Sequence, residues 1–214
     1  MTAPLLVLGS GGHAREVIAT AEAMNRECCM WEILGFLDDN SERHGLTVAG
    51  YPVLGGSETF AGRGIHVMIG VGNTQVRRTI ALRLEQLGYR FATLIHPTAV
   101  LGPRIKIGPG TVIFPNATLT VDIELGDHVA VNTAASVSHD CQIGNFVNLS
   151  PGSSLCGSVT IGEGTDIGAG AVVVQGQRVG SWSVLGAGAV VISHIEDRVV
   201  AVGVPAIVKR TNSV

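Results

Sequence analysis

Residues 131–149 read VNTAASVSHDCQIGNFVNL, with Val131, Val137, Ile143 and Leu149 spaced six apart. The spacing extends outward in both directions. Upstream it runs through Ile95, Leu101, Ile107, Ile113, Leu119 and Leu125, and downstream through Leu155, Ile161, Ile167, Val173, Val179 and Leu185 to Val191. Every position in the series is Ile, Leu or Val. Gly often follows directly, as at Gly102, Gly108, Gly126, Gly144, Gly162, Gly168, Gly180 and Gly186, and the residue four after is mostly small or β-branched (Thr111, Ala117, Val129, Ala135, Ala171). A helix would space apolar residues three or four apart, and a half-buried strand would alternate. A period of six does neither. It suits a chain that runs straight briefly, turns a corner and closes a triangular coil every three hexads, with the aliphatic side chain pointing inward. Gly is expected to ease the corner conformation that a Cβ penalises, and successive coils are expected to pair as parallel strands. Residues 95–196 hold between five and six such coils.

Composition agrees with a narrow interior. Aromatics make up 4% of the 214 residues and charged residues 14%, while the 29 glycines are dispersed rather than clustered. A net charge of −3 without a long basic run gives no support for nucleic-acid or membrane-surface binding. The four cysteines, Cys28, Cys29, Cys141 and Cys156, have neither C-x-x-C nor zinc spacing. No apolar run approaches the roughly 20 residues of a membrane span, and the start lacks the pattern of a signal peptide. The expectation is a cytoplasmic, soluble protein.

Upstream of the repeat, Leu5-Leu6-Val7-Leu8 reads as a buried strand that runs into Gly9-Ser10-Gly11-Gly12-His13-Ala14 and then a helix to Met24. Gly9, Gly11 and Ala14 satisfy G-x-G-x-x-A, and a glycine loop leading into a helix offers bare backbone N–H groups to an anion. A second strand, Ile33 to Leu37, ends in Asp38-Asp39, where an acidic side chain could meet ribose hydroxyls. A third, Val67 to Ile69, leads into Gly70-Val71-Gly72-Asn73 and a helix from Thr74 to Leu87. About ninety residues accommodate one mononucleotide-binding half, not the two that a dinucleotide needs. A tight turn with no ligand is the plain alternative for the glycine loop.

The hexad run resembles the hexapeptide-repeat acyltransferases, whose fold is a left-handed parallel β-helix. The whole chain is similar to the sugar acetyltransferases of the bacillosamine, perosamine and sialic-acid pathways. The likeness is carried by Gly9–Ala14, Phe36-Leu37-Asp38-Asp39, Ile69–Asn73, Ile95-His96-Pro97-Thr98-Ala99 and Ser138-His139-Asp140. It implies an α/β Rossmann-like nucleotide-sugar-binding domain over 1–92, then a left-handed β-helix acyltransferase domain over 93–214, assembled as a homotrimer. The implied reaction is acetyl-CoA-dependent N-acetylation of the 4-amino group of a nucleotide-diphosphate-linked amino-deoxysugar, with O-acetylation of sialic acid as the alternative. Acetyl-CoA is a co-substrate and no metal is implied.

Acetyl transfer needs a proton acceptor, a donor for the developing oxyanion, and a means of holding both substrates. Of the histidines in the repeat, His96, His128 and His194 read as turn or solvated corner residues. His139 lies mid-prism beside Asp140, and eighteen residues on stands Gly157. The resemblance assigns the general base to His139, its partner to Asp140 (many relatives carry Glu there) and an oxyanion-binding amide to Gly157. It places Gly11, Gly12, His13, Asp38, Asp39, Gly72, Asn73 and Asn132 against the sugar nucleotide. Asn148, Gly157, Ala169, Ala187 and Lys209 are placed against CoA. Without the resemblance, packing explains Gly157 equally well, an inter-coil hydrogen bond explains Asn132, and a solvated tail explains Lys209. Cys141 takes the small packing position of its hexad, so direct transfer is preferred to an acyl-cysteine. A carbonic-anhydrase-type zinc enzyme and a non-catalytic scaffold are the competing classes on the same prism.

Overall fold

A computed structural model describes residues 2–212, and the chain divides into two units, Met1–Pro97 and Thr98–Val214. In the first, β1 (Ala3–Leu8), β2 (Trp31–Leu37), β5 (His66–Ile69) and β6 (Arg90–Phe91) form a parallel sheet in the order β2-β1-β5-β6. Between β2 and β5 lies a two-residue hairpin pair, β3 (Thr47–Val48) and β4 (Tyr51–Pro52). Parallel strands covered on both faces read as unbroken aliphatic runs, and Leu5, Leu6, Val7 and Leu8 are all buried. Helix α1 (Gly12–Glu27) turns Ala14, Val17, Ile18 and Ala21 inward. Helix α2 (Thr74–Gln86) follows β5. The small residues of the fingerprint have separate tasks. Gly9 sits at φ +93°, and a Cβ on Gly70 would collide with Ala14, so the tip of β5 and the start of α1 approach as closely as Gly and Ala permit.

The second unit is a parallel β-solenoid of the left-handed β-helix type, with three faces. Face one stacks Val112–Ile113, Ala130–Val131, Asn148–Leu149, Asp166–Ile167 and Val184–Leu185. Face two stacks Val100–Leu101 through Val190–Val191, and face three Ile105–Ile107 through Arg178–Val179. The register is the predicted eighteen residues, with Leu119 on Val137 on Leu155 on Val173. From Ile113 to Val191 the hexad aliphatics are all buried, as are their small partners Thr111, Ala117, Ala135, Thr165 and Ala171. The last coil departs from the period: Val179 bridges Ile195 and Val184 pairs with Val200, so that coil is two residues short. Val199–Val202 then pairs antiparallel with Ile207–Thr211.

One expectation is corrected. The glycines that follow the inward aliphatics do not supply the corner conformation. The left-handed backbone falls two residues later, at Arg104, Asn116, Asp122, His128, Ala134, Asp140, Phe146, Ser158 and Trp182, as well as at Gly110, Gly152, Gly164, Gly170, Gly176 and Gly188. Gly102, Gly108, Gly126, Gly144, Gly162, Gly168, Gly180 and Gly186 are small because the next coil lies directly above them. A Cβ at any of them would meet that coil, mostly at its backbone. His128 is corrected too. It is not a solvated corner but is 5% exposed, stacked on Phe146 with ring centroids 5.0 Å apart and planes 3° from parallel. His194 is exposed, and its Nδ1 accepts the Arg178 amide at 3.1 Å.

Candidate active site

His139 and Asp140 form the corner between faces two and three. Asp140 adopts φ +61°, a left-handed conformation that a short polar side chain tolerates better than most. That turn brings its carboxylate back to the preceding ring, with His139 Nδ1 2.8 Å from Asp140 Oδ2. A carboxylate can only accept, so it holds the proton on Nδ1 and leaves the lone pair on Nε2, as a general base requires. The imidazole is half exposed. Its Nε2–Cε1 edge lies over Gly157, so close that a Cβ there would overlap the ring. Ser158 N–H donates to the His139 carbonyl at 2.8 Å, which ties the two corners together. Among the described residues the Gly157 amide makes no hydrogen bond. Cys141 is fully buried, its Sγ donating to the Cys156 carbonyl at 3.1 Å. Burial pushes its thiol pKa up, unfavourable for a nucleophile.

Other predicted residues of this unit lie elsewhere on the prism. Asn132 Nδ2 donates to Asn148 Oδ1 and to the Leu149 carbonyl, both at 2.9 Å, and Asn148 Nδ2 donates to Asp166 Oδ1 at 2.7 Å. This ladder runs up face one. Ala169 and Ala187 are exposed and stacked on the corner between faces one and two, with the Gly188 amide bonded to the Ala169 carbonyl. Lys209 is exposed on the last strand. Within one chain, then, His139, Asp140 and Gly157 converge, whereas Asn132, Asn148, Ala169 and Ala187 do not join them. Among the described residues no cluster of three His, Cys, Asp or Glu could hold a metal ion, and no helix is long and apolar enough to cross a membrane.

In the first unit the loops Gly9–His13 and Gly70–Gly72, with Asp38, Asn40 and Arg43, line an open cleft of about 510 Å³. The N-cap of α1 is Gly11, which has no side chain to cap the first turn, so its amide donors lack the acceptor that Ser or Asp would supply. Burial first, then the Arg77 charge, lowers the pKa of His13 against the opposing pull of Glu16. Asn73 is the cap of α2, its Oδ1 accepting from Gln75 N–H and Val76 N–H. Asp39 lies outside the cleft lining, bound to the Ser57 amide and to Arg83. Three residues were missed by sequence reasoning. Ser10 and Arg43 bond to or around Asp38, and Arg77, 2% exposed, donates Nη1 to the carbonyls of Val71 and Gly72. Ser10 was inside the quoted motif; Arg43 and Arg77 carried no motif signal.

Comparisons with known proteins fit this geometry. The PglD N-terminal domain family matches residues 4–84, and the bacterial transferase hexapeptide (six repeats) family matches 140–175. Comparison with curated proteins gives no match. A histidine-to-asparagine mutant of perosamine N-acetyltransferase from Caulobacter crescentus, in complex with CoA and GDP-perosamine, is similar with TM-score 0.89 and 30% identity over 97% of each chain. The acetyltransferase domain of PglB from Neisseria gonorrhoeae FA1090, in complex with acetyl coenzyme A, has TM-score 0.88 and 35% identity over 98% of this chain and 100% of that one. WeeI from Acinetobacter baumannii AYE has TM-score 0.86 and 28% identity over 97% of this chain and all of its own. Fold and site together define a class, the hexapeptide-repeat transferases with an N-terminal parallel-sheet unit. Within it, the chain belongs to the sugar acetyltransferase family that includes perosamine N-acetyltransferase and the acetyltransferase domain of PglB.

Proposed function

We propose that this protein transfers the acetyl group of acetyl-CoA to the 4-amino group of an amino-deoxysugar carried on a nucleoside diphosphate, of the GDP-perosamine or UDP-bacillosamine-precursor type. The observation that carries this reading is the His139–Asp140 pair lying over the bare backbone of Gly157. The neutral amine attacks the thioester carbonyl carbon and a C–N bond forms. Its excess proton passes to His139 Nε2, while Asp140 holds the imidazolium that results. The Gly157 N–H donates to the oxyanion. The C–S bond then breaks, and the departing CoA thiolate takes the proton from His139. Transfer is direct, with Cys141 left as a packing residue. The glycine-loop cleft of the first unit (1–92 as a nucleotide-sugar-binding domain) is assigned the nucleotide. Similarity to an enzyme held with CoA and GDP-perosamine supports both assignments.

We assign the working form to a trimer. Ala169 and Ala187 form a smooth exposed wall one corner away from His139. A pantetheine arm held between two copies of the prism would lie along this wall of one copy and reach His139 of the other, with Lys209 available to the CoA phosphates. Light scattering is expected to give a trimer; a fully active monomer would contradict this assembly.

The substrate assignment is tested by following thiol release and product mass with acetyl-CoA and a panel of UDP-, GDP- and dTDP-linked 4-amino sugars. One of these should be acetylated on nitrogen. Acetylation of a sialic acid hydroxyl, with every amino sugar inert, would overturn it.

A further inference from the structure

The cleft of the first unit holds an acid and a base with different amounts of freedom. Asp38, at the end of β2, stands where an acid could meet ribose, yet its carboxylate is already committed. Oδ2 accepts from the Ser10 amide at 3.0 Å and from the Ser10 hydroxyl, and lies 3.5 Å from Arg43 Nε. Oδ1 accepts from the Asn40 amide at 3.0 Å. Its side chain is 17% exposed. Asp38 thus latches the glycine loop to the turn that follows β2. Asn40 caps that turn by accepting the Glu42 amide, and Arg43 is its last residue.

Arg43 is engaged on one side only. Its Nη2 donates to the Ser10 carbonyl at 3.1 Å, its Nε is ion-paired with Asp38 at 3.5 Å without a hydrogen bond, and Nη1 makes no hydrogen bond among the described residues. The side chain is 40% exposed and lines the cleft. The diphosphate of a nucleotide sugar brings about two negative charges, and a planar guanidinium already held along one edge by a hydrogen bond and an ion pair meets phosphate oxygens with less further loss of freedom. His13, the other basic side chain of the lining, is disfavoured as a cation because burial and Arg77 oppose its protonation. Ser10 and Arg43 also offset the Asp38 charge, which would otherwise repel the same phosphates.

We propose that Arg43 is the side chain that grips the diphosphate of the substrate, with Asp38 as the positioning residue that holds it in place through Ser10. The assignment rests on the nucleotide reading of this cleft. It makes the phosphates, rather than the ribose, the point where a charged side chain of the loop meets the substrate.

The test is calorimetric titration of the full-length protein, as wild type, Arg43→Gln, Arg43→Lys and Asp38→Asn, with GDP, UDP and dTDP and with the matching nucleosides. Wild type should bind one diphosphate with an affinity that falls as salt rises. Arg43→Gln should weaken it about 10- to 100-fold and flatten the salt dependence. Binding of the nucleoside should be unchanged, and Arg43→Lys should recover part of the loss. In turnover assays KM for the nucleotide sugar should rise while KM for acetyl-CoA holds. Asp38→Asn should weaken diphosphate binding in the same direction. If Arg43→Gln binds the diphosphate as wild type does, or loses nucleoside and diphosphate equally, the role of Arg43 is wrong while the nucleotide site stands. If wild type binds none of the three diphosphates, the nucleotide reading falls and Arg43 with it.

Discussion

The imidazole of His139 rests on the Cα of Gly157, one coil further along, in space that a methyl group would fill. His139 is half exposed and can swing outward, and the Gly157 backbone is outside the left-handed region. On the proposed mechanism their contact bears on chemistry more than on stability.

Gly157→Ala should separate the two. The new methyl displaces the ring from the Asp140 carboxylate and from the Gly157 amide. Turnover is expected to fall at least about tenfold, while the melting temperature moves by no more than a few degrees. Steady-state kinetics beside a thermal melt check this. Unchanged turnover would mean that the ring does not act from where it rests.

The two kinds of glycine in the prism predict different costs. At Gly144 a Cβ would lie 2.7 Å from the Glu163 amide nitrogen of the coil above, and backbone cannot step aside. Gly152 is at φ +67° with nothing within 4 Å of its Cβ position. Gly144→Ala should cost about 1–3 kcal/mol by overpacking. Gly152→Ala should cost about 1 kcal/mol, the penalty of a Cβ in the left-handed region, where Ala134 already sits. Denaturant titration of both variants would reverse the revised roles of these glycines if Gly152→Ala proved the more damaging.

Acid should weaken the first unit. His13, His66 and His96 all have lowered pKa values. Burial is the first cause in each case, followed by Arg77, Arg90 and Arg26 respectively. In the unfolded chain they protonate near 6.5, so their contribution is complete above that pH and is lost as pH falls below it towards the folded values. Melting followed by tryptophan fluorescence in a Trp182→Phe background, which leaves Trp31 as the reporter, should show a fall as pH drops below 6.5, reduced in His13→Gln. A flat profile would contradict the burial of these rings.

The sequence was explicit about the prism because period six leaves few alternatives, and the eighteen-residue register alone superposes His139 and Gly157. The same arithmetic places Ala169 twelve residues beyond Gly157, hence on another corner, a consequence legible in the numbering but not drawn from it. The glycines after the aliphatics were misread because Gly serves two needs, a left-handed turn and a close approach, that look alike in a sequence. Here the glycine after each aliphatic takes the contact, while the turn two residues on is taken by Asp140, His128, Phe146 and Trp182 as readily as by Gly110 or Gly152. The commitment of Asp38 to Ser10 was not legible. It depends on a turn at Ser41–Arg43 that no motif announces and on a hydrogen bond spanning 28 residues.

The central claim is that His139 accepts the amine's proton at a site built on Gly157. Its most direct test is the single-turnover rate of His139→Asn against wild type at neutral pH, with acetyl-CoA affinity measured in parallel. The rate should fall by about 100- to 10,000-fold, with acetyl-CoA bound as before. A variant that transfers acetyl at close to the wild-type rate would show that the proton leaves by another route.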